Sequence, residues 1–158
     1  MRCFLHAHLT YATALSMLQD NRLKPYGQQA LRFHSKCACY DHYGALAHTG
    51  DEGERMAAAL GERCSVLFLG QHGVIAGGPT VGQAFHDLCY VERACMNQVM
   101  AMWTRQPLRE VPEKMAIRAE QQYDSQRSEA ELHFASLKRL LAAQDTAFAE
   151  SARTSAAA

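Results

Sequence analysis

Residues 64–78 read CSVLFLGQHGVIAGG, and this stretch decides the fold class. The uninterrupted apolar run within residues 64–69 predicts a strand that is buried on both faces. Glycines at positions 70 and 73 flank Gln71 and His72, which predicts a tight turn. Residues 74–76 predict a return strand, which ends at Gly77-Gly78-Pro79. A buried strand, a turn and a return strand are expected to form the centre of a sheet.

Helices and strands alternate on both sides of this centre. Short strands are predicted at residues 3–8 and 36–40, and helices at residues 11–19, 50–60 and 80–103. The pattern from position 112 to about position 143 predicts one long C-terminal helix. This alternation is typical of an α/β domain with a thin sheet of four or five short strands.

Composition limits the classes of function. The chain has 158 residues, 48% of them hydrophobic, and a formal net charge of zero. This length indicates one domain with a substantial core. The lack of a basic excess argues against a nucleic-acid partner, and no apolar run approaches the roughly 20 residues of a membrane span. Six cysteines in an otherwise ordinary composition favour a reduced, cytoplasmic protein over a disulfide scaffold.

Three histidines form the candidate metal site. His6 and His8 are separated by Ala7 on a predicted strand, so their side chains point to the same face. His72 lies in a turn that begins at Gly70 and ends at Gly73. In α/β proteins, such a turn after a buried strand often carries functional groups. Three neutral imidazoles would leave open coordination positions on a divalent ion, as in catalytic zinc sites. A pair of histidines on one strand can equally be structural, so the hypothesis of a metal site depends on His72.

Three motifs in order resemble the class II aldolase/adducin family. They are His6-Ala7-His8, the helix segment TALSML at residues 13–18, and the turn LGQHGVI at residues 69–75. The resemblance covers residues 2–103. It implies an α/β fold arranged as a three-layer α/β/α sandwich with an incomplete central sheet. It further implies a partial family domain over residues 1–106, a C-terminal helical extension over 107–143, and a disordered tail over 144–158.

The enzymatic branch of this family implies a reaction and a cofactor. By this resemblance His6, His8 and His72 hold a divalent metal, zinc first, with manganese or iron as alternatives. The ion polarises a carbonyl of a small hydroxy-carbonyl or sugar-phosphate substrate, and the protein is an aldehyde-lyase that assembles as a homo-oligomer, tetrameric in relatives. The family's phosphate-binding loop and acid/base glutamate lie in a segment before the His-x-His pair that has no counterpart here. Activity is therefore expected to be impaired by truncation.

Two tyrosines are candidates for proton transfer. Tyr40 and Tyr43 lie near the end of the strand predicted at residues 36–40, where a phenol could protonate a leaving oxygen. Tyrosines at strand ends also serve as packing residues, so both roles stay open.

A second branch of the family gives the alternative function. The stretch YDHYG at residues 40–44 and ERAC at residues 92–95 are similar to the adducin-like branch. Adducin heads keep comparable histidine motifs and serve as scaffolds. The alternative is therefore a non-catalytic assembly module.

Overall fold

The computed structural model describes residues 1–42 and 50–145. Tyr43 and the tail from residue 146 onward lie outside the described residues. The described elements alternate between strands and helices along the chain, with one 3-10 turn before the second strand. In chain order they are β1 (Cys3–Ala7), α1 (Thr10–Ser16), the 3-10 turn (Ala30–Phe33), β2 (Cys37–Tyr40), α2 (Gly50–Leu60), β3 (Val66–Leu69), β4 (Gly73–Gly78), α3 (Val81–Trp103), α4 (Glu113–Ser125) and α5 (Glu129–Gln144).

The sheet is mixed, with the order β1-β4-β3-β2. β2 runs parallel to β3, whereas β4 is antiparallel to both β3 and β1. Helices α1 and α3 pack on one face and α2 packs on the other, which gives three layers. The predicted α/β class and sandwich architecture are confirmed.

The main core lies between the sheet and the pair α1 and α3. Phe68 of β3 and Val74 of β4 are fully buried there, against Leu15 of α1 and Val91 of α3. β3 is buried along its whole length, as its continuous apolar sequence predicts. The core therefore fixes the central hairpin from which the candidate site projects.

Local sequence signals set several helix boundaries. The Thr80 side chain accepts a hydrogen bond of 3.1 Å from the backbone N–H of Gln83 and caps α3. Helix α2 spans the predicted residues, and Gly61 follows it at a φ of 64°, a left-handed conformation that glycine adopts without strain. These two helices begin or end where the sequence places a cap or a glycine.

The prediction of one long C-terminal helix is wrong. The chain turns at residues 126–128 and divides this region into α4 and α5. In that turn, the guanidinium of Arg127 donates two hydrogen bonds of 2.8 and 2.9 Å to the buried carboxylate of Asp87 on α3. The turn lets α4 pack on the 3-10 turn while α5 packs on α3. A straight helix could not make both contacts.

Strand β4 is longer than residues 74–76, the predicted range. It continues through Gly77 and Gly78, which pair with Phe4 and Cys3 of β1. A Cβ at Gly77 would lie 2.5 Å from the sulfur of Met1 and 2.7 Å from the ring of Phe4. These atoms belong to the exposed side chains of Met1 and Phe4, which pack over Gly77, and the glycines do not end the strand.

Within the described ranges, no helix combines the length and apolar character needed to cross a bilayer. All six cysteines are free thiols. The division of the chain at residue 106 stays a prediction.

Candidate metal centre

The candidate site lies at one end of the sheet. In the register, Ala7 of β1 is opposite Val74 of β4, and Leu69 of β3 is opposite Gly73. His8 therefore follows the end of β1 at the same level as the turn that joins β3 to β4. His72 lies in this turn, so chain segments about 65 residues apart meet here because β1 pairs with β4.

The structure brings the three predicted histidine rings together. Ring centroids are separated by 4.9 Å between His6 and His8, 4.9 Å between His6 and His72, and 4.8 Å between His8 and His72. One ring nitrogen from each residue lies within 4.8 Å of the others. His6 and His8 are exposed and His72 is half-buried, so the cluster is open to solvent on one side.

A backbone contact sets the tautomer of His6. Its Nδ1 lies 3.1 Å from the carbonyl oxygen of Val74. A carbonyl oxygen can only accept, so Nδ1 carries the proton and donates it. The lone pair of the neutral ring is then on Nε2, the nitrogen that faces His8. Metal-binding histidines commonly make this type of second contact.

The nitrogen separation fits a shared divalent ion. The Nε2 atoms of His6 and His8 are 3.1 Å apart. Two nitrogens that each bind zinc at about 2.05 Å in tetrahedral geometry are separated by about 3.3 Å. A donor set of three imidazoles also suits zinc. Manganese or iron can bind the same set, but imidazole ligands are less selective for these ions. The residues present therefore fit the ion that the sequence motifs imply.

Neighbouring charge and burial act on His72. Burial is the largest cause that lowers its pKa, the nearby rings of His6 and His8 lower it further, and the carboxylate of Glu52 opposes them. A lowered pKa keeps the imidazole neutral to a more acidic pH, which is the form that binds a metal.

The turn that carries His72 is held by its backbone. Gln71 has a φ of 57°, and its N–H donates to the carbonyl of Ser16 at the end of α1 at 3.0 Å. The N–H of His72 donates to Leu69 at 3.1 Å, and the N–H of Gly70 donates to Tyr40 at 2.8 Å. Helix α1 and strand β2 thus both fix the direction in which the turn projects.

Gly73 allows the histidines to approach the turn. A Cβ at this position would lie 2.7 Å from the carbonyl oxygen of Ala7, 3.0 Å from Cδ2 of His8 and 3.4 Å from Cε1 of His6. The first of these contacts is with backbone, which cannot rotate away. The glycine after His72 is therefore needed for the packing of the cluster.

Of the two tyrosines predicted as proton donors, the structure describes only Tyr40. Tyr40 ends β2, opposite Leu69 in the register, at the same end of the sheet as the histidines. Its hydroxyl oxygen accepts a hydrogen bond of 3.1 Å from Nε of Arg55. Within the described chain, the ring of Tyr40 lies beside His42 and does not contact the three clustered rings. Tyr43 lies outside the described residues.

Two glutamates near the site were not found by sequence reasoning. Glu92 of α3 accepts hydrogen bonds from the backbone N–H groups of Tyr11 and Ala12, at 2.9 Å each, and so caps the start of α1 just after His8. Glu52, in the first turn of α2, is only 7% exposed. The Glu92 contacts join segments about 80 positions apart, and the burial of Glu52 depends on how α2 lies on the sheet, so local periodicity gave no signal for either residue.

Comparison with known proteins identifies relatives of this chain. The family model described as Class II Aldolase and Adducin N-terminal domain matches residues 1–99. Human gamma-adducin is 35% identical over 102 residues, which make up 65% of this chain and 14% of that protein. The chain therefore spans only a small part of this relative.

Solved structures share the fold. An aldolase II superfamily protein from Pseudomonas syringae aligns with a TM-score of 0.77 and 28% identity, over 90% of this chain and 57% of that one. The L-fuculose 1-phosphate aldolase from Glaciozyma antarctica aligns with a TM-score of 0.72 and 22% identity, over 88% of this chain and 52% of that one. At 22% identity, the second match indicates the fold alone.

Proposed function

The chain belongs to the class II aldolase and adducin family, and we propose that it is a divalent-metal-dependent, aldolase-type lyase. Its substrate would be a small hydroxy-carbonyl compound or a sugar phosphate. The ion, zinc in the first instance, is held by His6, His8 and His72. The observation that carries the proposal is the convergence of one nitrogen from each of these rings within 4.8 Å.

The ion supplies Lewis-acid polarisation of a substrate carbonyl, which makes the adjacent carbon–carbon bond easier to break. The chain's own residues prepare the site for it. The carbonyl of Val74 holds His6 in the tautomer whose Nε2 is free. The open side of the cluster, at the exposed rings of His6 and His8, gives a substrate access.

Tyr40 is the proposed proton donor. Its oxygen accepts a hydrogen bond from Arg55, so its own O–H proton remains available for a substrate oxygen. Its position at the sheet end that carries the histidine cluster supports this role. Tyr43, the second candidate, stays a sequence-based proposal.

The similarity to an aldolase II superfamily protein from Pseudomonas syringae, at 28% identity, supports an aldolase-type reaction on a carbonyl substrate. The L-fuculose 1-phosphate aldolase supports the shared fold. This chain spans 57% and 52% of those two chains. The substrate class, the turnover and the cofactor of this protein are therefore proposals, and they rest on its own residues.

The similarity to gamma-adducin favours a second candidate function, a non-catalytic scaffold that assembles with copies of itself. Homo-oligomer formation is also proposed for the lyase. Exposed apolar side chains near the end of α3 are consistent with a contact surface, since Met100 is 47% exposed and Trp103 is 67% exposed. Analytical ultracentrifugation of the purified chain measures the oligomeric state directly.

Metal analysis tests the proposed site. The purified chain, loaded with zinc and dialysed, is expected to retain about one ion per chain, whereas His72→Ala is expected to retain almost none. His34→Ala is the matched control because His34, a half-buried histidine, contacts the exposed carboxylate of Glu113 and none of the three clustered rings. Equal zinc retention in the chain and in His72→Ala would contradict the proposal.

Activity separates the two functions. Retro-aldol cleavage of a panel of sugar phosphates and hydroxy acids is measured before and after treatment with a chelator. A rate that the chelator abolishes, and that zinc restores, supports the lyase. Tyr40→Phe is expected to lower kcat at least tenfold while zinc retention stays unchanged, since it removes only the proton donor. Zinc binding without turnover on any substrate would favour the scaffold.

A further inference from the structure

We propose that Glu92 is a positioning residue of the metal centre. Its carboxylate fixes the start of α1, and through this helix it sets the positions of His8 and of the turn that carries His72. This inference rests on the proposed metal site. It gives a role in ion binding to a side chain of α3 that lies outside the histidine motifs.

The start of α1 has no cap of its own. Leu9 occupies the N-cap position and its side chain accepts no hydrogen bond, so the first backbone N–H groups of the helix need another acceptor. Glu92 supplies it from α3, 80 positions after Ala12. Its Oε1 accepts the N–H of Tyr11 at 2.9 Å, and its Oε2 accepts the N–H of Ala12 at 2.9 Å. A carboxylate at this end of a helix also interacts favourably with the helix dipole.

Helix α1 connects the two halves of the metal centre. It begins at Thr10, just after His8, and it ends at Ser16. The carbonyl oxygen of Ser16 accepts the N–H of Gln71 at 3.0 Å, next to His72. A helix of seven residues is a short rod about 10 Å long. A displacement of its start therefore moves His8 and also disturbs the turn at its other end.

The ring of His8 depends on this backbone for its position. In residues 1–42 and 50–145, its hydrogen-bond contact is between its Nε2 and Nε2 of His6, the two nitrogens that would share the ion. The ring of His6 has in addition the carbonyl of Val74 as a fixed acceptor. His8 lacks such an acceptor among these residues, so the chain segment that leads into α1 determines where its ring lies.

Helix α3 is a firm support for the Glu92 carboxylate. Val91 and Cys95, which flank Glu92 on this helix, are fully buried in the main core. Glu92 itself is half-buried. Hydrogen bonds to a charged acceptor are stronger than those to a neutral one, so the two contacts tie the start of α1 firmly to the core. Loss of the carboxylate is expected to loosen the position of His8.

The test compares Glu92→Leu and Glu92→Gln with the matched control Thr80→Ala. Thr80 caps α3 close to Gly78, which pairs with Cys3 at the other end of β1 from His8. The control therefore removes a helix cap far from the metal centre. Zinc affinity is measured by competition with a chromophoric chelator, the Co²⁺-loaded proteins are compared by visible absorption, and the metal-free proteins are compared by Tm.

All three variants should lower the metal-free Tm, because each weakens a helix cap. Zinc binding should weaken only in the Glu92 variants. We expect a loss of about tenfold in Glu92→Leu, the lower end of the range for residues that orient metal ligands. Glu92→Gln should fall between it and the unaltered chain, since its amide has one accepting oxygen in place of two. The Co²⁺ absorption bands should change in both Glu92 variants and stay unchanged in Thr80→Ala.

Zinc affinity and Co²⁺ spectra equal to those of the unaltered chain in both Glu92 variants would overturn this inference and leave the proposed function intact. An equal loss of zinc affinity in Thr80→Ala would also overturn it, because affinity would then follow overall stability. If Glu92→Leu does not fold, Glu92→Gln decides alone by the same measurements. Failure of the unaltered chain to bind zinc would overturn the proposed function together with this inference.

Discussion

Two clusters of histidines in this molecule have similar ring spacing but different surroundings. In the sheet-end cluster, the rings of His6, His8 and His72 are 4.8–4.9 Å apart and partly open to solvent. In the helix cluster, His86 of α3 and His133 of α5 have ring centroids 5.2 Å apart, and His86 is 8% exposed. Ring spacing alone therefore does not separate a metal centre from packing.

The hydrogen bonds of the helix cluster leave little capacity for an ion. The guanidinium of Arg32 lies 3.4 Å from Nε2 of His86, and because it can only donate, that nitrogen accepts. Nδ1 of His86 then donates to Nδ1 of His133 at 3.2 Å. Arg32 is itself held between the rings of Tyr90 and Tyr123, at 3.9 and 4.1 Å from their centroids.

The comparison shows that the remaining lone pairs decide what a histidine cluster can do. At the sheet end, the fold satisfies the outer nitrogen of His6 and leaves its inner lone pair facing His8. Between the helices, both nitrogens of His86 are occupied by neighbours, and the cation of Arg32 repels a second cation. The first arrangement suits a ligand site, and the second suits a structural contact.

The largest expected loss of stability follows from breaking the ion pair beside the helix cluster. Arg127→Met leaves the carboxylate of Asp87 buried without its cation, since Asp87 is 2% exposed. Such a loss costs about 3 kcal/mol or more of the free energy of unfolding, as measured by urea titration. The control Arg22→Met removes an ion pair with Asp41 whose side chains are 51% and 54% exposed, and it should cost less than about 1 kcal/mol. Similar losses in the two variants would contradict this interpretation of the buried pair.

Zinc should stabilise the protein through the sheet-end cluster alone. At a free zinc concentration of 100 times Kd, the free energy of unfolding is expected to rise by about 2.7 kcal/mol. The rise should disappear in His8→Ala and persist in His133→Phe, even if the second variant starts from a lower stability. Urea titrations with and without zinc give both values. A zinc-dependent rise in His8→Ala would show that the ion binds elsewhere.

The helix cluster should make the protein sensitive to acid. Burial, followed by the charges of Arg32, His133 and Arg127, lowers the pKa of His86 from 6.5 to about 4. The unfolded chain therefore binds a proton that the folded chain does not, and stability falls as the pH drops below 6.5. Between pH 7 and pH 5 this group should account for about 2 kcal/mol of lost stability.

His86→Phe provides the check on this pH dependence. Its free energy of unfolding should change less between pH 7 and pH 5 than that of the unaltered chain, by the amount assigned to His86. Chemical denaturation at the two pH values measures the difference. The same pH dependence in both proteins would contradict the assignment.

Substitution of Gly73 should give the smallest of these losses of stability. Gly73→Ala places a Cβ against the carbonyl of Ala7 and the ring of His8, and is expected to cost about 1–2 kcal/mol and weaken zinc binding. Gly27→Ala is the matched control because a Cβ there meets nothing within 4 Å. Differential scanning calorimetry and zinc titration of both variants test this. Wild-type zinc affinity in Gly73→Ala would show that the close approach is dispensable.

Local patterns predicted most of the fold. The apolar run of β3, the cap at Thr80 and Gly61 after α2 each act within a few residues, so they can be read in a single sequence. The break between α4 and α5 could not be predicted in this way. It depends on a contact between Arg127 and Asp87, 40 positions apart, and the helical pattern continues across it.

In the candidate site, too, some features follow from local patterns and others depend on distant contacts. Alternation along β1 predicted that His6 and His8 share a face, and the glycines around His72 marked a turn. That these segments meet follows from the pairing of β1 with β4, which no local pattern specifies. The burial of Glu52 depends on how α2 lies on the sheet, so only the structure could reveal it.

The pairing of β1 with β4 has a kinetic consequence. The hydrogen bond from His6 to Val74 spans 68 positions, so the cluster assembles only after a long loop has closed. Strand β1 has five residues and a single neighbour in the described sheet. Its unzipping from β4 would separate two of the three imidazoles from the third, and so would break up the proposed ligand set. Amide hydrogen exchange in β1 and β4 should slow together when zinc is added.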